Sequence, residues 1–172
     1  MTSPLTILYE DNHLLAVDKP PDILTQPSGT DQISIEEIAK KWIKDTYHKP
    51  GNVYLHVIHR LDKVASGIVL FARTSKSLSR LQKSSREKKF HKRYIATVSP
   101  PPKSLEGYLE HYLFHAEHCA EVVDQHYPGA KLSQLSYKVI SNTHSQAIIE
   151  VILHTGRYHQ IRAQFAAIGS PI

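Results

Sequence analysis

Residues 59–72 read HRLDKVASGIVLFA, a short polar loop that runs directly into an apolar, strand-like segment. The loop carries Arg60 and Asp62, and the apolar run occupies residues 68–72. Side chains on a loop that faces solvent, but that a buried strand holds in place, are often binding or catalytic groups. The same pattern also fits a surface loop with an ordinary Arg–Asp contact, because paired charges are frequently structural. The loop by itself leaves both interpretations open.

The composition predicts one domain with an anionic partner. The 172 residues are 41% hydrophobic, which suffices for one core, and two full domains are not expected. A net charge of +5 favours a polyanionic partner, whether RNA, DNA or acidic lipid. Cys119 is the single cysteine, so no intramolecular disulfide can form. We therefore expect a reducing compartment, by default the cytoplasm.

Membrane targeting is not expected from the sequence. Residues 1–4 lead directly into a strand-like segment, which is not the pattern of a signal peptide. No apolar run approaches the ~20 residues that a bilayer-spanning helix needs. We therefore expect a protein that has no membrane partner.

Two short strands are predicted at the start of the chain. Residues 5–10 and 13–17 have strand-like composition, and Asp11 and Asn12 between them supply the turn. The second strand ends at Lys19, because the prolines that follow have no N–H group for the sheet ladder. A lysine at a strand end is either simply solvated or in contact with a substrate. The sequence leaves both options open.

Two helices are predicted on either side of the opening loop. Ser34 and Glu37 form a capping box for the first, whose apolar stripe includes Trp42. The second is capped by Thr74, continues to about Lys88 and has few apolar residues. Its basic surface favours contact with phosphates, although an ordinary solvated helix face has the same composition. The residues of this basic ridge are Lys76, Arg80, Lys83, Arg86, Lys88, Lys89, Lys92 and Arg93.

The rest of the chain is predicted to consist of strands and one helix near its end. Tyr94 lies on a strand at 94–98, where it either packs in the core or stacks on a base. Residues 157–168 have the apolar spacing of a helix. Because strands and helices do not alternate along the chain, the pattern predicts the α+β class. The other predicted strands are 53–58, 107–110, 120–123, 135–140 and 146–153.

Neither a metal nor a cofactor is expected. His111, His115, His118 and Cys119 lie close together in the sequence, but their spacing matches no standard zinc pattern. The chain also lacks a Gly-rich phosphate loop and a dinucleotide fingerprint.

Four segments together resemble the RluA family of RNA pseudouridine synthases. Residues 59–67 resemble the family's signature loop, which reads His-Arg-Leu-Asp, two variable residues, then Thr-Ser-Gly. Residues 8–20 are similar to its opening strands ending in Lys-Pro, and residues 92–94 to its tyrosine motif. Residues 156–162 are similar to its Gly-Arg-Thr-His-Gln-Ile-Arg segment. The segments occur in the family's order and cover nearly the whole chain, which makes the resemblance specific.

The resemblance implies an isomerase that cleaves the N1–C1′ bond of a uridine in tRNA or rRNA, turns the uracil and rejoins it through C5. Asp62 matches the family's catalytic aspartate, and either attack on C1′ or removal of the C2′ proton is possible. By the same resemblance Arg162 pairs with Asp62, and Arg60 helps to flip out the nucleotide. The resemblance also assigns base stacking to Tyr94, a pocket wall to Ile161, and support of the loop or pocket to His59, Gln160 and Lys19.

The resemblance further implies one mixed α+β domain over residues 1–172. It is expected to have a bent, mainly antiparallel sheet with flanking helices and a central catalytic cleft. We expect no separate N-terminal RNA-binding domain, a C-terminus that is truncated or shortened relative to the family, and a monomer without an obligate protein partner. Ala65 and Tyr158 stand where the family usually has Thr. The missing hydroxyl at Ala65 predicts a less rigid loop.

Two other functions fit parts of the pattern. One is an RNA-binding module that keeps the fold and the basic surface but performs no chemistry. The other is a hydrolase of glycosidic bonds, since Asp62 beside a sugar C1′ also suits that reaction. Such enzymes normally use two carboxylates, and the segments around Asp62 and Arg162 contain no other acid.

Overall fold

The chain folds as two compact units, the first ending at Lys89 and the second running from Phe90 to Ile172. The computed structural model describes residues 5–172. Residues 1–4, on which the expectation about a signal peptide rests, lie outside the described residues. Each unit has its own sheet and its own hydrophobic core.

The first unit contains a four-stranded sheet and two helices. Its elements are β1 (Thr6–Glu10), β2 (Leu14–Lys19), α1 (Ile35–Thr46), β3 (His56–Val57), β4 (Gly67–Ala72) and α2 (Ser75–Arg86). The strands lie in the order β1-β2-β4-β3, and every pair is antiparallel. The predicted turn between β1 and β2 forms around Asp11, whose carboxylate accepts hydrogen bonds from the N–H groups of His13 and Leu14, both at 2.7 Å.

Helix α1 begins at the cap that the sequence predicts. Ser34 Oγ accepts a hydrogen bond from the Glu37 N–H at 3.3 Å, and the Glu37 carboxylate accepts one from the Ser34 N–H at 2.9 Å. This capping box satisfies N–H groups that the start of a helix leaves without a partner. The core of the unit combines Ile35, Ala39 and Ile43 of α1 with Leu15, Val17, Val69 and Phe71 of the sheet. Each large apolar side chain buried in this way contributes about 1.5–3 kcal/mol.

Helix α2 is anchored at its N-terminus and carries a basic surface. Thr74 and Ser77 cap it reciprocally, and Ser77 Oγ donates a hydrogen bond to the His13 carbonyl oxygen at 2.9 Å. The members of the basic ridge that belong to this unit are all exposed. Glu87 pairs with two of them, Lys83 at 3.8 Å and Lys89 at 2.6 Å. The remaining exposed cations are available to an external anion.

The second unit contains a five-stranded sheet and one helix. Its elements are β5 (Lys92–Val98), β6 (Glu106–His115), β7 (Ala120–Val123), β8 (Lys131–Asn142), β9 (Ala147–Leu153) and α3 (Gln160–Ala167). The strands lie in the order β5-β9-β8-β6-β7, again with antiparallel pairs. Phe165 of α3 is fully buried and meets the Tyr137 ring of β8 edge-on, with 5.2 Å between the ring centroids. Leu135, Ile149 and Val151 complete the centre of this core.

The α+β class and the antiparallel pairing are confirmed, with the strands divided between two sheets. The strand predicted at 53–58 is shorter, because β4 ends at Ala72, the partner of His56, and so offers no partner to residues 53–55. Strands β6 and β8 are longer than predicted, because they pair with each other continuously along Glu106–Leu113.

Candidate active site

Asp62 lies in a turn whose backbone is fixed on its N-terminal side by Thr25. The Thr25 hydroxyl donates a hydrogen bond to the Leu61 carbonyl oxygen at 2.7 Å and accepts one from the Leu61 N–H at 3.1 Å. The Leu61 side chain packs against the core of the first unit. The turn itself is closed by a hydrogen bond of 3.1 Å from the Ala65 N–H to the Asp62 carbonyl oxygen. The residue before the carboxylate is therefore held at its side chain and at both backbone groups.

Lys19 fixes the other side of Asp62. Its ammonium group is completely buried and donates to three carbonyl oxygens, those of Pro20 at 3.0 Å, Ile23 at 2.8 Å and Lys63 at 3.0 Å. Lys63 directly follows Asp62 in the chain. Three carbonyls match the three donors of an ammonium group, which is why a buried lysine is tolerated here.

The charge of Lys19 is also coupled to the candidate site. Burial lowers the pKa of Lys19, because a charged group is less well solvated inside the protein. The carboxylates of Asp22 and Asp62 oppose this shift by attracting the ammonium charge. Lys19 is therefore not a simply solvated lysine, which was one of the two options that its sequence position left open, and its contact with a substrate stays a prediction. It is a buried cation that supports the loop.

The other two predicted residues of this loop are nearer to solvent. His59 is partly buried, and Arg60 is exposed. An exposed arginine beside the carboxylate turn is compatible with the role in nucleotide flipping that the family resemblance implies.

Tyr94 lies on β5 with its side chain partly buried. Its partner across the sheet is Val151 of β9, and the tyrosine packs against the core of the second unit. Arg93 points to the opposite face of the strand and pairs with Glu150 at 3.2 Å. Packing against the core and stacking on a base both remain compatible with a half-buried ring.

Gln160 organises the turn between β9 and α3. It is almost fully buried, and its Oε1 accepts hydrogen bonds from the Thr155 hydroxyl at 2.8 Å and the Arg157 N–H at 3.0 Å. Its Nε2 donates to the Gln134 carbonyl oxygen at 3.1 Å and to Gln164 Oε1 at 3.0 Å. All four hydrogen-bonding positions of this amide are thus occupied.

Helix α3 begins later than the sequence predicts. The spacing places residues 157–159 on the helix, but Arg157 instead bonds to the Gln160 side chain, and His159 adopts left-handed backbone angles with φ of 48°. The predicted start of this helix at residue 157 is therefore wrong, and His159 precedes the helix that carries Arg162. Arg162 is exposed on α3, and Ile161 packs at the edge of the core.

Three rings lie together at this turn, and we call them the ring column. Tyr158 is stacked on His159 with 3.7 Å between centroids, and its centroid lies 4.2 Å from that of His115 on β6, with those two rings tilted by 38°. This arrangement depends on Tyr158, one of the two positions that depart from the family pattern. The sequence analysis predicted a helix over residues 157–168, which includes Tyr158, and did not predict the ring column.

The eight predicted site residues divide equally between the two units. Lys19, His59, Arg60 and Asp62 belong to the first, and Tyr94, Gln160, Ile161 and Arg162 belong to the second. The residues of the first unit lie in or contact the Asp62 turn, and in the second unit three begin α3 while Tyr94 lies on β5. The pairing of Asp62 with Arg162 stays a prediction.

The described residues contain neither a metal-binding group of side chains nor a membrane-spanning helix. Within residues 5–172, no group of three or more His, Cys, Asp and Glu side chains is arranged to hold a metal ion. None of the helices described above is long and apolar enough to cross a membrane.

Comparison with known proteins assigns the family. A family model described as RNA pseudouridylate synthase matches residues 13–167, which include both the Asp62 loop and the β9–α3 turn. The chain belongs to this family. The resemblance to the RluA branch of these pseudouridine synthases is also confirmed, since curated relatives of that type match almost the whole chain.

Two curated relatives illustrate the similarity. "Ribosomal large subunit pseudouridine synthase C" of Buchnera aphidicola (subsp. Acyrthosiphon pisum) is 31% identical over 170 residues, which cover 96% of this chain and 51% of that protein. "Dual-specificity RNA pseudouridine synthase RluA" of Vibrio cholerae is 28% identical over 175 residues, which cover 98% of this chain and 66% of that protein. The chain thus spans about half to two thirds of the length of these pseudouridine synthases.

A solved structure supports the fold. "Human RNA Pseudouridylate Synthase Domain Containing 4" superposes with a TM-score of 0.80 at 22% identity, over 97% of this chain and 66% of that one. The pseudouridine synthase fold predicted from the sequence is therefore confirmed.

Proposed function

We propose that this chain is the catalytic core of an RNA pseudouridine synthase, and that Asp62 is its catalytic carboxylate. The reaction would break the N1–C1′ bond of a uridine, rotate the uracil and form a C5–C1′ bond. The hydrogen at C5 leaves as a proton, and a proton returns to N1, so nothing is added or lost overall. No cofactor is needed for this balance.

The observation that carries the proposal is the double anchoring of the Asp62 turn. Thr25 holds Leu61 on one side, and the buried Lys19 ammonium holds the Lys63 carbonyl on the other. A catalytic group is effective only when its surroundings fix it to within a fraction of an ångström. An ordinary surface carboxylate does not need a buried cation beneath it, so the anchoring favours a functional role.

The proposed roles of the other site residues follow from the need to reach a uracil that is stacked within RNA. A uridine within a stacked helix is unreachable, so the nucleotide must be flipped out at a cost of a few kcal/mol. Arg60, exposed beside the carboxylate, is proposed to help to flip out the nucleotide. Tyr94 would stack on the flipped uracil, which is worth about 1–3 kcal/mol per base, and Ile161 would form an apolar wall. Arg162 would pair with Asp62 and keep it ionised for either chemical route.

The substrate is proposed to be structured ribosomal or transfer RNA. The name of one relative refers to the large ribosomal subunit, and the name of the other describes a dual-specificity RNA enzyme. The net charge of +5 also favours a polyanionic substrate. Exposed cations on α2 supply a phosphate-binding surface within the first unit. We expect the protein to act as a monomer in the cytoplasm.

Nucleoside analysis of treated RNA tests this proposal. The purified chain is incubated with total RNA from cells that lack its gene, and the RNA is digested and separated into nucleosides. We expect pseudouridine to appear in an amount equal to the uridine lost, with no uracil released. Binding without any pseudouridine would favour a module that performs no chemistry, and release of uracil would indicate a glycosidic hydrolase. Mapping the modified positions would then identify the target uridine.

A further inference from the structure

Two cationic side chains of the second unit, Lys92 and Arg157, are near enough to repel each other, and Lys92 lies beside Gly156. Lys92 begins β5, opposite Leu153 at the end of β9, and Arg157 lies in the turn that follows β9. Gly156 directly precedes Arg157 in this turn, and a Cβ atom added to it would lie only 2.9 Å from Lys92 Nζ. The lysine ammonium therefore lies against the Gly156 backbone. The side chain of any larger residue at position 156 would occupy the same space.

The charge of Lys92 has no counterpart in the described structure. Within residues 5–172, its side chain makes no hydrogen bond or ion pair, whereas its neighbour Arg93 pairs with Glu150. Burial lowers the pKa of Lys92, and the nearby Arg157 guanidinium lowers it further by repulsion. Two like charges held close together without an acid raise the energy of the protein until an anion binds between them.

Arg157 is held in place for such an anion. Its Nε donates to the Leu132 carbonyl oxygen at 3.1 Å, and its backbone N–H donates to Gln160 Oε1 at 3.0 Å. The turn is tied to β8 as well, since the N–H groups of His154 and Thr155 donate to the Gln134 carbonyl oxygen. A guanidinium fixed through Nε keeps its terminal N–H groups for an acceptor such as a phosphate oxygen.

We propose that Lys92 and Arg157 form a subsite for one backbone phosphate of the RNA substrate. This inference rests on the proposed function, because that function supplies the polyanion. The subsite consists of residues of the second unit, whereas the exposed cations of α2 belong to the first. It lies on the turn that leads to Ile161 and Arg162, so a phosphate bound here would position the RNA strand relative to the residues proposed to hold the flipped base.

Salt-dependent binding of a defined RNA tests the subsite. The probe is a fluorescently labelled 12-nucleotide oligouridylate, and its affinity for the full chain is measured at several salt concentrations. We expect Lys92→Gln and Arg157→Gln each to weaken binding at 0.1 M salt by about 3- to 10-fold. The double variant should lower the slope of log K against log[salt] by about 0.7, the value for one single-strand phosphate.

Two further variants make the test specific. Gly156→Ala leaves the net charge unchanged but places a methyl group against Lys92 Nζ, and it should weaken binding about 3-fold or more by displacing the ammonium. Lys103→Gln removes the same charge from an exposed loop beyond Val98, at the other end of β5, and should keep the wild-type affinity and slope. Thermal unfolding followed by circular dichroism verifies that all variants are folded.

The subsite is contradicted if the double variant matches Lys103→Gln in affinity and slope, or if the wild-type chain does not bind the probe. Activity is measured separately, as pseudouridine formed in cellular RNA. A lower slope in a chain that forms no pseudouridine would support the subsite and reject the proposed function. Pseudouridine formation with an unchanged slope in the double variant would support the function and reject the subsite.

Discussion

Lys19 places a positive charge in the core of the first unit and surrounds it with carbonyl oxygens. A buried ammonium without such partners would cost several kcal/mol, so the three carbonyls and the two nearby carboxylates make the position possible. The structural result is that residues 20–23 and the Asp62 turn are joined through one side chain. A single residue thus couples the stability of the unit to the geometry of the proposed catalytic group.

Replacing Lys19 by methionine should therefore destabilise the protein. The apolar side chain fills a similar volume but leaves three buried carbonyl oxygens without a donor, so we expect a loss of about 2–4 kcal/mol. Urea unfolding followed by circular dichroism measures the free energy of unfolding. Lys63→Met is the matched control, because Lys63 is exposed and should change stability by less than about 0.5 kcal/mol. Equal stability of the Lys19→Met variant and the wild type would contradict the structural role.

His111 predicts a pH dependence of the second unit. Gln164 Nε2 lies 3.2 Å from His111 Nδ1, and burial lowers the pKa of His111 from its ordinary value of 6.5. The unfolded chain therefore binds a proton at a higher pH than the folded chain does. The stability contributed by His111 is complete above about pH 6.5 and is lost as the pH falls through the lower folded-state pKa.

The measurement compares wild type with His111→Asn at pH 5 and pH 7.5. The asparagine oxygen can accept the Gln164 hydrogen bond but does not titrate in this range. We expect the wild type to lose more thermal stability than the variant on going to pH 5. Identical losses in the two proteins would contradict this prediction, because they would show that the pKa of His111 does not change on folding.

At the scale of elements, local capping signals were predictable, whereas contacts across the sheet were not. Ser34 with Glu37 and Thr74 with Ser77 lie within four residues of each other, and both helix starts agree with the prediction. The start of α3 was wrong, because the buried amide of Gln160 reaches Gln134 on β8, which no local spacing reveals. The anchoring hydroxyl of Thr25 was missed for the same reason, since its partner lies thirty-six positions away.

Helix α2 should act as a phosphate-binding element. The double charge reversal of Lys76 and Arg80 to glutamate is expected to weaken RNA binding and to reduce the salt dependence by about one unit of slope per lost phosphate contact. Filter binding of a structured RNA over a range of salt concentrations measures both quantities. Both positions are exposed, so the fold should be retained.

Helix α1 provides the control for this experiment. Reversing Lys41 and Lys44 makes the same change in net charge on a helix of equal length within the same unit. We expect a smaller effect, because these lysines share their helix with three acidic residues, Glu36, Glu37 and Asp45. A similar loss from both helices would mean that only net charge matters and that α2 has no specific role.

At the scale of the whole molecule, the family was identified by the sequence resemblance and not by composition or periodicity. The charge of +5 indicated a polyanion but could not choose among RNA, DNA and lipid, whereas four short segments identified the family that the comparisons confirm. The site residues Asp62, Tyr94 and Arg162 were proposed because they lie in such segments, and their roles stay predictions. The support of the site was not, since it comes from residues such as Thr25 and Gln164 that lie outside the signature motifs.

The division into two units has a consequence for the proposed mechanism. Asp62 belongs to the first unit, and Tyr94 and Arg162 belong to the second, so the proposed reaction needs residues from both. We therefore expect a substitution of Asp62 in the first unit, or of Arg162 in the second, to reduce activity. The central claim is that this chain performs the isomerisation through Asp62.

Release of tritium from RNA labelled at uridine C5 tests this claim most directly, because the C5–C1′ bond cannot form without expelling that hydrogen. We expect the wild-type chain to release tritium and Asp62→Asn to release none, while its RNA affinity stays within about 3-fold of wild type. The variant preserves the shape of the side chain but cannot act as a nucleophile or base. Activity of Asp62→Asn above about a tenth of wild type, or no release by the wild type with any cellular RNA, would contradict the claim.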